Sequence, residues 1–393
     1  MRILMLSPGT RGDVAPATGL GAAFTADGHD VTIVANTEYT HLIEAAGCTV
    51  APVDASLSPP PEASGVRAHL AALRSYMDAA AAVALDAAQG TEVILANAIS
   101  PYGHDIAEAV KVPSADMLLQ PWYPSAAYPP MIAGAKDLGG FGNRWAGRLA
   151  ARVRAPYDPP AARIRAGFGL PPRSRAAGQR LRHDRGVPVH HGISPVVLPR
   201  PADWPDHLRL DGFWWPHEPP GAGIPDEVTA FLADGPAPVV VTLGSMSPES
   251  DVVQAVAAAL KMTGARAVVQ GNLDIDSGNV LHVGDVPHSL LLPQASVVVH
   301  HAGAGVTSAA LRAGVPSVPM PMHTDQHFWA RRLVALDAAT SPIPMRRADG
   351  AALASAIREA TDGNRLRAGA ATVGAALARE DGTASMRDWL QTL

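Results

Sequence analysis

The chain has 393 residues, is 47% hydrophobic and 17% charged, and carries a formal charge of -5. That length and apolar content favour two or more domains with sizeable cores and exclude global disorder. No basic block is present, so a footprint on a nucleic-acid backbone is not expected. With Cys48 as the only cysteine, neither an internal disulfide nor a metal–thiolate cluster can form, and a reducing cytoplasm is the expected setting.

The opening "MRILML" ends at "SPGTRGD", too soon for a secretory leader, and no window approaches the ~20 uncharged apolar residues of a membrane span. "RILML" reads as a strand, "SPGTRGD" as a turn, the segment to Gly28 as a helix, and "HDVTIVAN" as a second strand. "EVILAN" at 92–97 feeds a helix around Gly103–Ala109, and "VPSADMLLQ" follows as another strand. Residues 121–160 break the rhythm with Pro, Gly, Trp and Tyr, as a binding loop would. A second series starts at "APVVVTLGS" (237–245), with a helix near Val252–Met262, then "ARAVVQG" and "NVLHVGDVP".

Alternating strands and helices predict parallel sheets covered on both faces, here two of them. The expected division is an N-terminal domain over 1–200, a proline- and aromatic-rich linker over 201–223, a C-terminal domain over 224–375, and a terminal helix over 376–393 that packs back on the first domain. Each doubly wound domain places its ligand crevice at the carboxyl ends of the strands.

The stretch "VHHAGAGVTSAALRAGVP" at 299–316 sets two histidines and two glycines between a buried strand and a helix. Free amides and the positive helix end make such turns anion sites, and a diphosphate is the natural fit. The alternative is a plain turn with a strand-end histidine. "TLGSM" at 242–246 adds Ser245 as a further donor. In "PMHTDQHFWARR", Asp325 and Gln326 pair an acceptor-only carboxylate with an amide that donates and accepts, which suits sugar hydroxyls. Equally, Asp325 is placed to cap the helix that follows. In "GTRGDV", the spacing Gly9-x-x-Gly12 fails the dinucleotide fingerprint. Asp13 sits at the mouth of the first strand–helix turn, as a general base or as an ordinary first-turn acid. Arg11 either orients it or faces water.

Taken together, "TRGDVAP", "GISPVVLPRPADWPDHLRLDGFWW", "VTLGSM", "VGDVPHSLLLPQASVVVHHAGAGVTSAALRAGVPSVPMPMHTDQHFWARRL" and "REDGTASMRDWL" resemble family 1 glycosyltransferases of the GT-B fold. The likeness is greatest to bacterial sterol-glucosyltransferase-like enzymes and to glycopeptide and natural-product antibiotic glycosyltransferases. It implies an α/β fold of two Rossmann-like domains facing across a cleft. It implies an inverting transfer of a hexose or deoxyhexose from a UDP- or dTDP-sugar to a hydroxyl of a hydrophobic acceptor.

By the same resemblance, Asp13 is the base. Arg11, Gly12, Ser245, Val286, His301, Asp325 and Gln326 join the turn Gly303, Ala304, Gly305, Val306 and Thr307 on the donor. No metal or other cofactor is implied, and the protein is expected as a monomer or homodimer. The chain departs from most relatives at Val306, which lacks a hydroxyl, and at Ala309, where plant members carry a glutamate. "LDIDSG" (273–278), the one Asp-x-Asp of the second domain, reads as a loop.

Trp122, Tyr123, Tyr128, Met131, Phe141 and Trp145 are candidates for an apolar acceptor wall, or for ordinary core. Three rivals share parts of the pattern. A nicotinamide dehydrogenase lacks its glycine fingerprint here; a GT-B sugar-nucleotide epimerase would need no acceptor; a non-catalytic binding protein would not need Asp13.

Overall fold

Runs of Val, Ile, Leu and Ala with no polar face have to be covered on both sides, and in this protein they become the strands of two parallel sheets. The structure, a computed structural model, describes residues 1–59, 63, 65–131, 136–150, 152–153, 155–219, 221–244, 249–271, 273–275, 279–322 and 325–393. The first sheet comprises β1 (Arg2–Leu6), β2 (Asp30–Asn36), β3 (Thr49–Val53), β4 (Val93–Ala96), β5 (Ser114–Leu118), β6 (Val189–His191) and β7 (Leu208–Leu210), in the order β3-β2-β1-β4-β5-β6-β7. Its helices are α1 (Arg11–Ala26), α2 (Thr40–Ala45), α3 (Val66–Ala87), α4 (Gly103–Val110), α5 (Gly139–Ala150), α6 (Asp158–Gly167) and α7 (Arg175–Asp184).

The second sheet comprises β8 (Val239–Thr242), β9 (Ala267–Gln270), β10 (Val280–Val283), β11 (Val297–His300) and β12 (Ser317–Pro319), in the order β10-β9-β8-β11-β12. Around it lie α8 (Asp226–Ala233), α9 (Ser250–Thr263), α10 (His288–Leu291), α11 (Ala304–Ala313), α12 (Gln326–Ala335), α13 (Gly350–Asp362) and α14 (Asn364–Leu377), with α15 (Ala384–Leu390) closing the chain. Every strand pair in both sheets is parallel.

Strand order reverses between β1 and β4 in the first sheet and between β8 and β11 in the second. Leu6 lies opposite Ala96 in register, and His300 opposite Thr242. At these two switch points the loops diverge and leave a crevice, which is where α/β sheets hold ligands.

One expectation needs correction. The segment read as linker contributes β7, which pairs with β6, and Trp204 just before it is buried. The first domain therefore runs to Leu210. A three-residue strand at the sheet edge tolerates the prolines around it, because little of its backbone is in the ladder. The true crossing follows at 213–217 and passes over α1. A Cβ on Gly19 would lie 1.8 Å from the Trp215 carbonyl oxygen, so only glycine fits the helix there. Trp214 is buried and its Nε1 donates to the Gly382 carbonyl at 2.9 Å.

Met386 and Leu390 of α15 are buried among Ile3, Met5 and Phe24, so the last helix packs on the first domain. Arg387 ties it down with a bidentate pair to Asp27, both contacts at 2.6 Å. A second core crosses the domain boundary. Ile193, Val197 and Leu198 pack with Phe328, Trp329 and Leu333 of α12, and Arg332 donates to the Val197 carbonyl at 2.7 and 3.0 Å. Among the described residues no helix is long and apolar enough to cross a membrane.

Candidate functional site

The β1–α1 turn builds the first half of the site. Thr10 is the N-cap of α1, and Asp13 is the third residue of that helix. The Thr10 amide and hydroxyl both donate to Asp13 Oδ2, at 2.9 and 3.1 Å. Such a carboxylate normally titrates low, because it accepts hydrogen bonds at a positive helix end. Here the opposite holds: burial pushes Asp13 up to about 6, the Thr10 bonds pull it down, and the charge of Asp325 pushes it up further. The half-buried carboxyl borders a small cavity lined by Pro16, Met117, Leu119 and Trp214, which withholds the water it would otherwise have.

Gly9 makes room for that carboxyl. Its φ is +130°, and a Cβ there would lie 2.4 Å from Asp13 Oδ2. The Gly9 amide donates to the Tyr76 hydroxyl at 2.6 Å, and that hydroxyl donates in turn to Asn36 Oδ1. Asn97, at the end of β4, donates from Nδ2 to the Pro8 carbonyl at 3.1 Å. Ser7 Oγ donates to the Asp13 carbonyl at 2.8 Å. Residues from β1, β2, β4 and α3 thus hold one short loop. The sequence singles out neither Tyr76 nor Asn97, and Gly9 only for a spacing that fails the dinucleotide fingerprint; a glycine at a strand end is the one usable signal.

The β11–α11 turn builds the second half. His300 is the strand-end histidine: it is fully buried, Nδ1 accepts from the Ala302 amide at 3.1 Å, and burial together with His301 and His288 drives its pKa down to about 3. It is a neutral structural group. His301 is the other kind. Its ring lies against two glycines, since a Cβ on Gly303 would be 2.4 Å from Nε2 and one on Gly244 would be 2.9 Å from Cε1.

Between the histidines and the helix, Ala302 takes a left-handed φ of 59°, sparsely populated for a residue with a side chain. Gly303 is the N-cap of α11, so the amides of Ala304, Gly305 and Val306 occupy the first turn, where no helical acceptor exists. Val306 is buried, and the buried Thr307 hydroxyl takes no partner among the described residues.

Asp325 is the N-cap residue of α12 by position, yet its side chain makes no cap bond. Instead Trp329 Nε1 donates to Asp325 Oδ2 at 3.1 Å, which fixes the carboxylate on the cleft side close enough to raise Asp13. Gln326 is buried, and its Oε1 accepts from the Met322 amide at 2.7 Å. Val286 is buried too, and its carbonyl accepts from Gln270 Nε2 at 2.9 Å.

Arg11 reaches across the cleft to an ion pair with Asp285, the residue before Val286, while Gly12 is exposed beside it. Asp13 and Arg11 thus stand at the first switch point and His301 and the 303–307 turn at the second, while Val286 and Asp325–Gln326 follow the edge strands β10 and β12; the Arg11–Asp285 ion pair and the charge of Asp325 on Asp13 link the two halves. Ser245 lies outside the described residues, as do 276–278 of "LDIDSG".

The six candidates for an acceptor wall divide into buried and exposed residues. Tyr123, Tyr128 and Met131 are core residues. Tyr123 donates to Asp116 Oδ2 at 3.3 Å, and Tyr128 stacks edge-on with Trp204 and Phe328. Trp122, Phe141 and Trp145 are exposed. Composition announces apolar side chains in this stretch without saying which way the backbone turns them.

Comparison with known proteins bears on the whole chain. Residues 3–153 match the glycosyltransferase family 28 N-terminal domain, and residues 265–385 match the erythromycin biosynthesis protein CIII-like C-terminal domain. O-mycaminosyltylonolide 6-deoxyallosyltransferase of Streptomyces fradiae is 32% identical over 427 residues, covering 100% of this chain and 98% of the relative. A sterol 3-beta-glucosyltransferase of Pichia angusta is 28% identical over 97% of this chain, which spans only 32% of that longer protein. The crystal structure of glycosyltransferase VinC in complex with DTDP superposes with a TM-score of 0.68 at 20% identity, over 100% of this chain and 99% of the other.

Two facing doubly wound domains of this order define the GT-B class of fold. The chain belongs to the glycosyltransferases of that class, with a family 28 N-terminal domain and an EryCIII-like C-terminal domain. It is a glycosyltransferase.

Proposed function

We propose that the protein transfers a hexose or deoxyhexose from a UDP- or dTDP-sugar to a hydroxyl of a hydrophobic natural-product or sterol-like acceptor, with inversion. The observation that carries this reading is Asp13, a half-buried carboxyl titrating at about 6 within reach of the Asp325 charge. A base of that pKa is ionised near neutral pH yet far more basic than a free aspartate, which suits proton removal from an alcohol.

Asp13 takes the acceptor's hydroxyl proton, and the oxygen attacks the anomeric carbon. The bond from that carbon to the diphosphate breaks on the opposite face, and the bonding pair leaves with the nucleoside diphosphate. Charge developing on the leaving group meets the first-turn amides of α11, the helix end, the Thr307 hydroxyl and His301. No metal is assigned a part in this reading. Asp325 and Gln326 hold sugar hydroxyls, and the backbone at Val286 receives the base.

The relatives' names support a natural-product or sterol acceptor and a thymidine nucleotide: an O-mycaminosyltylonolide 6-deoxyallosyltransferase, a sterol 3-beta-glucosyltransferase, and a structure in complex with DTDP. The test is calorimetric titration with UDP and dTDP, followed by turnover of the matching sugar nucleotide with sterol and macrolide alcohols. Binding of either nucleotide, a β-glycoside from an α-linked donor, and a loss of about a hundredfold or more in Asp13→Asn support the reading. A fully active Asp13→Asn enzyme refutes Asp13 as base.

A further inference from the structure

Helix α5 is mounted inside out. Its buried positions are Asn143 and Gly147, while Phe141, Trp145 and Leu149 share the outward face, with Leu138 just before the helix and Val153 just after it. Phe141 is 87% exposed and Trp145 59%. A helix of a soluble core normally turns such residues inward, so a contiguous stripe of this size marks an interaction surface.

The polar side locks the helix in this pose. Asn143 Nδ2 donates to Asp137 Oδ1 at 2.8 Å, and Arg144 donates from Nε and Nη2 to the one oxygen Asp203 Oδ2 at 3.0 and 2.9 Å. Gly147 lies so close to Pro124 that a Cβ would stand 3.0 Å from the proline's own Cβ, which leaves no space to roll the aromatics under.

The helix itself carries charge of one sign. Residues 138–153 contain Arg144, Arg148 and Arg152 and no Asp or Glu. Arg148 and Arg152 are exposed, and no carboxylate pairs with either among the described residues. The flanking acids are already engaged: Asp137 with Asn143 and the Gly139 amide, Asp158 with Arg175 and the Ala155 amide.

We infer that the outward face of α5 docks the enzyme on an anionic lipid surface. Aromatic and aliphatic side chains among unpaired arginines are the composition of a helix lying in the headgroup plane, where rings enter the acyl boundary and guanidinium groups meet phosphates. A second copy fits less well, because a two-fold contact through this face would bring two patches of the same positive charge together. The inference goes beyond the proposed reaction and does not depend on which acceptor or nucleotide is used.

The test is co-sedimentation of the full chain with phosphatidylcholine vesicles, with and without phosphatidylglycerol, at low and high salt. Binding to the anionic vesicles is expected, weakened about tenfold or more by high salt or by omitting the anionic lipid. The double variant Phe141→Ser/Trp145→Ser is expected to bind about tenfold more weakly or worse, and Arg148→Glu/Arg152→Glu likewise. Melting temperatures of both should match the parent, since the changed side chains are exposed.

Absence of binding to anionic vesicles at low salt overturns the inference, as does binding that neither variant weakens. So does a dimer in sedimentation velocity that Phe141→Ser/Trp145→Ser dissociates, which would assign the face to a second copy.

Discussion

Replacing Asp13 by asparagine should do two opposite things at once, to activity and to stability. The folded protein holds this carboxyl at about 6 against an ordinary 3.8, chiefly through burial. A group whose folded pKa is raised binds protons more tightly in the fold than in the unfolded chain. Stability is then lost as pH rises between those two values, and the whole loss is present at neutral pH. The gap amounts to about 3 kcal/mol at most, reduced by whatever water the cleft still gives the half-buried carboxylate.

Asparagine cannot ionise and still offers an oxygen to the Thr10 amide. Asp13→Asn should therefore be more stable than the parent near neutral pH by about 1–3 kcal/mol, with only about a third of that gain left near pH 4.5. The assay is urea denaturation of both proteins at the two pH values, read by tryptophan fluorescence, beside turnover at neutral pH. An equal gain at both pH values, or none at either, would show that Asp13 ionises in the fold as readily as in water, and the basicity argument would fail with it.

Gly9→Ala combines a left-handed φ of +130° with a Cβ 2.4 Å from Asp13 Oδ2. It should lower kcat about tenfold or more and cost about 1–3 kcal/mol, and a variant with parental kcat by initial rates would mean that the carboxyl needs no such seat. Gly303→Ala keeps an ordinary φ of −66°. Its new methyl collides with the His301 ring, so calorimetry should find nucleotide binding weakened about tenfold while the fold stays nearly as stable. Met386→Ala, at a fully buried position of α15, should cost about 2–5 kcal/mol in denaturant titration. Arg387→Ala, whose pair with Asp27 lies in water, should be close to neutral, and the reverse ranking would mean that α15 is held by charge rather than by packing.

Much of this architecture is legible in the chain. Buried strands announce themselves as short apolar runs, as β1, β4, β8 and β11 do. The site follows from them: a glycine, histidine or carboxylate directly after such a run must stand at the open end of the sheet, whatever the rest of the domain does. That is why Asp13 and the His301 turn were visible without coordinates. β7 was not, since three residues among prolines carry no period. Nor was Gly9, which matters for what its missing Cβ would strike.

The stretch around α5 shows the deeper limit. The sequence reads residues 121–160 as a binding loop carrying candidates for an acceptor wall, whereas the structure makes Gly139–Ala150 a helix with Phe141, Trp145 and Leu149 on its outward face. The direction of that face is set elsewhere, by Asp203 gripping Arg144 and by Pro124 closing on Gly147, contacts made 59 and 23 residues away in sequence. Local pattern specifies that a face is apolar; only long-range contacts decide what it meets. The same logic governs Asp13, whose basicity depends on a cavity floored by Trp214 and on Asp325 in the other domain. Position of the carboxyl is a local property here, and its basicity is a global one.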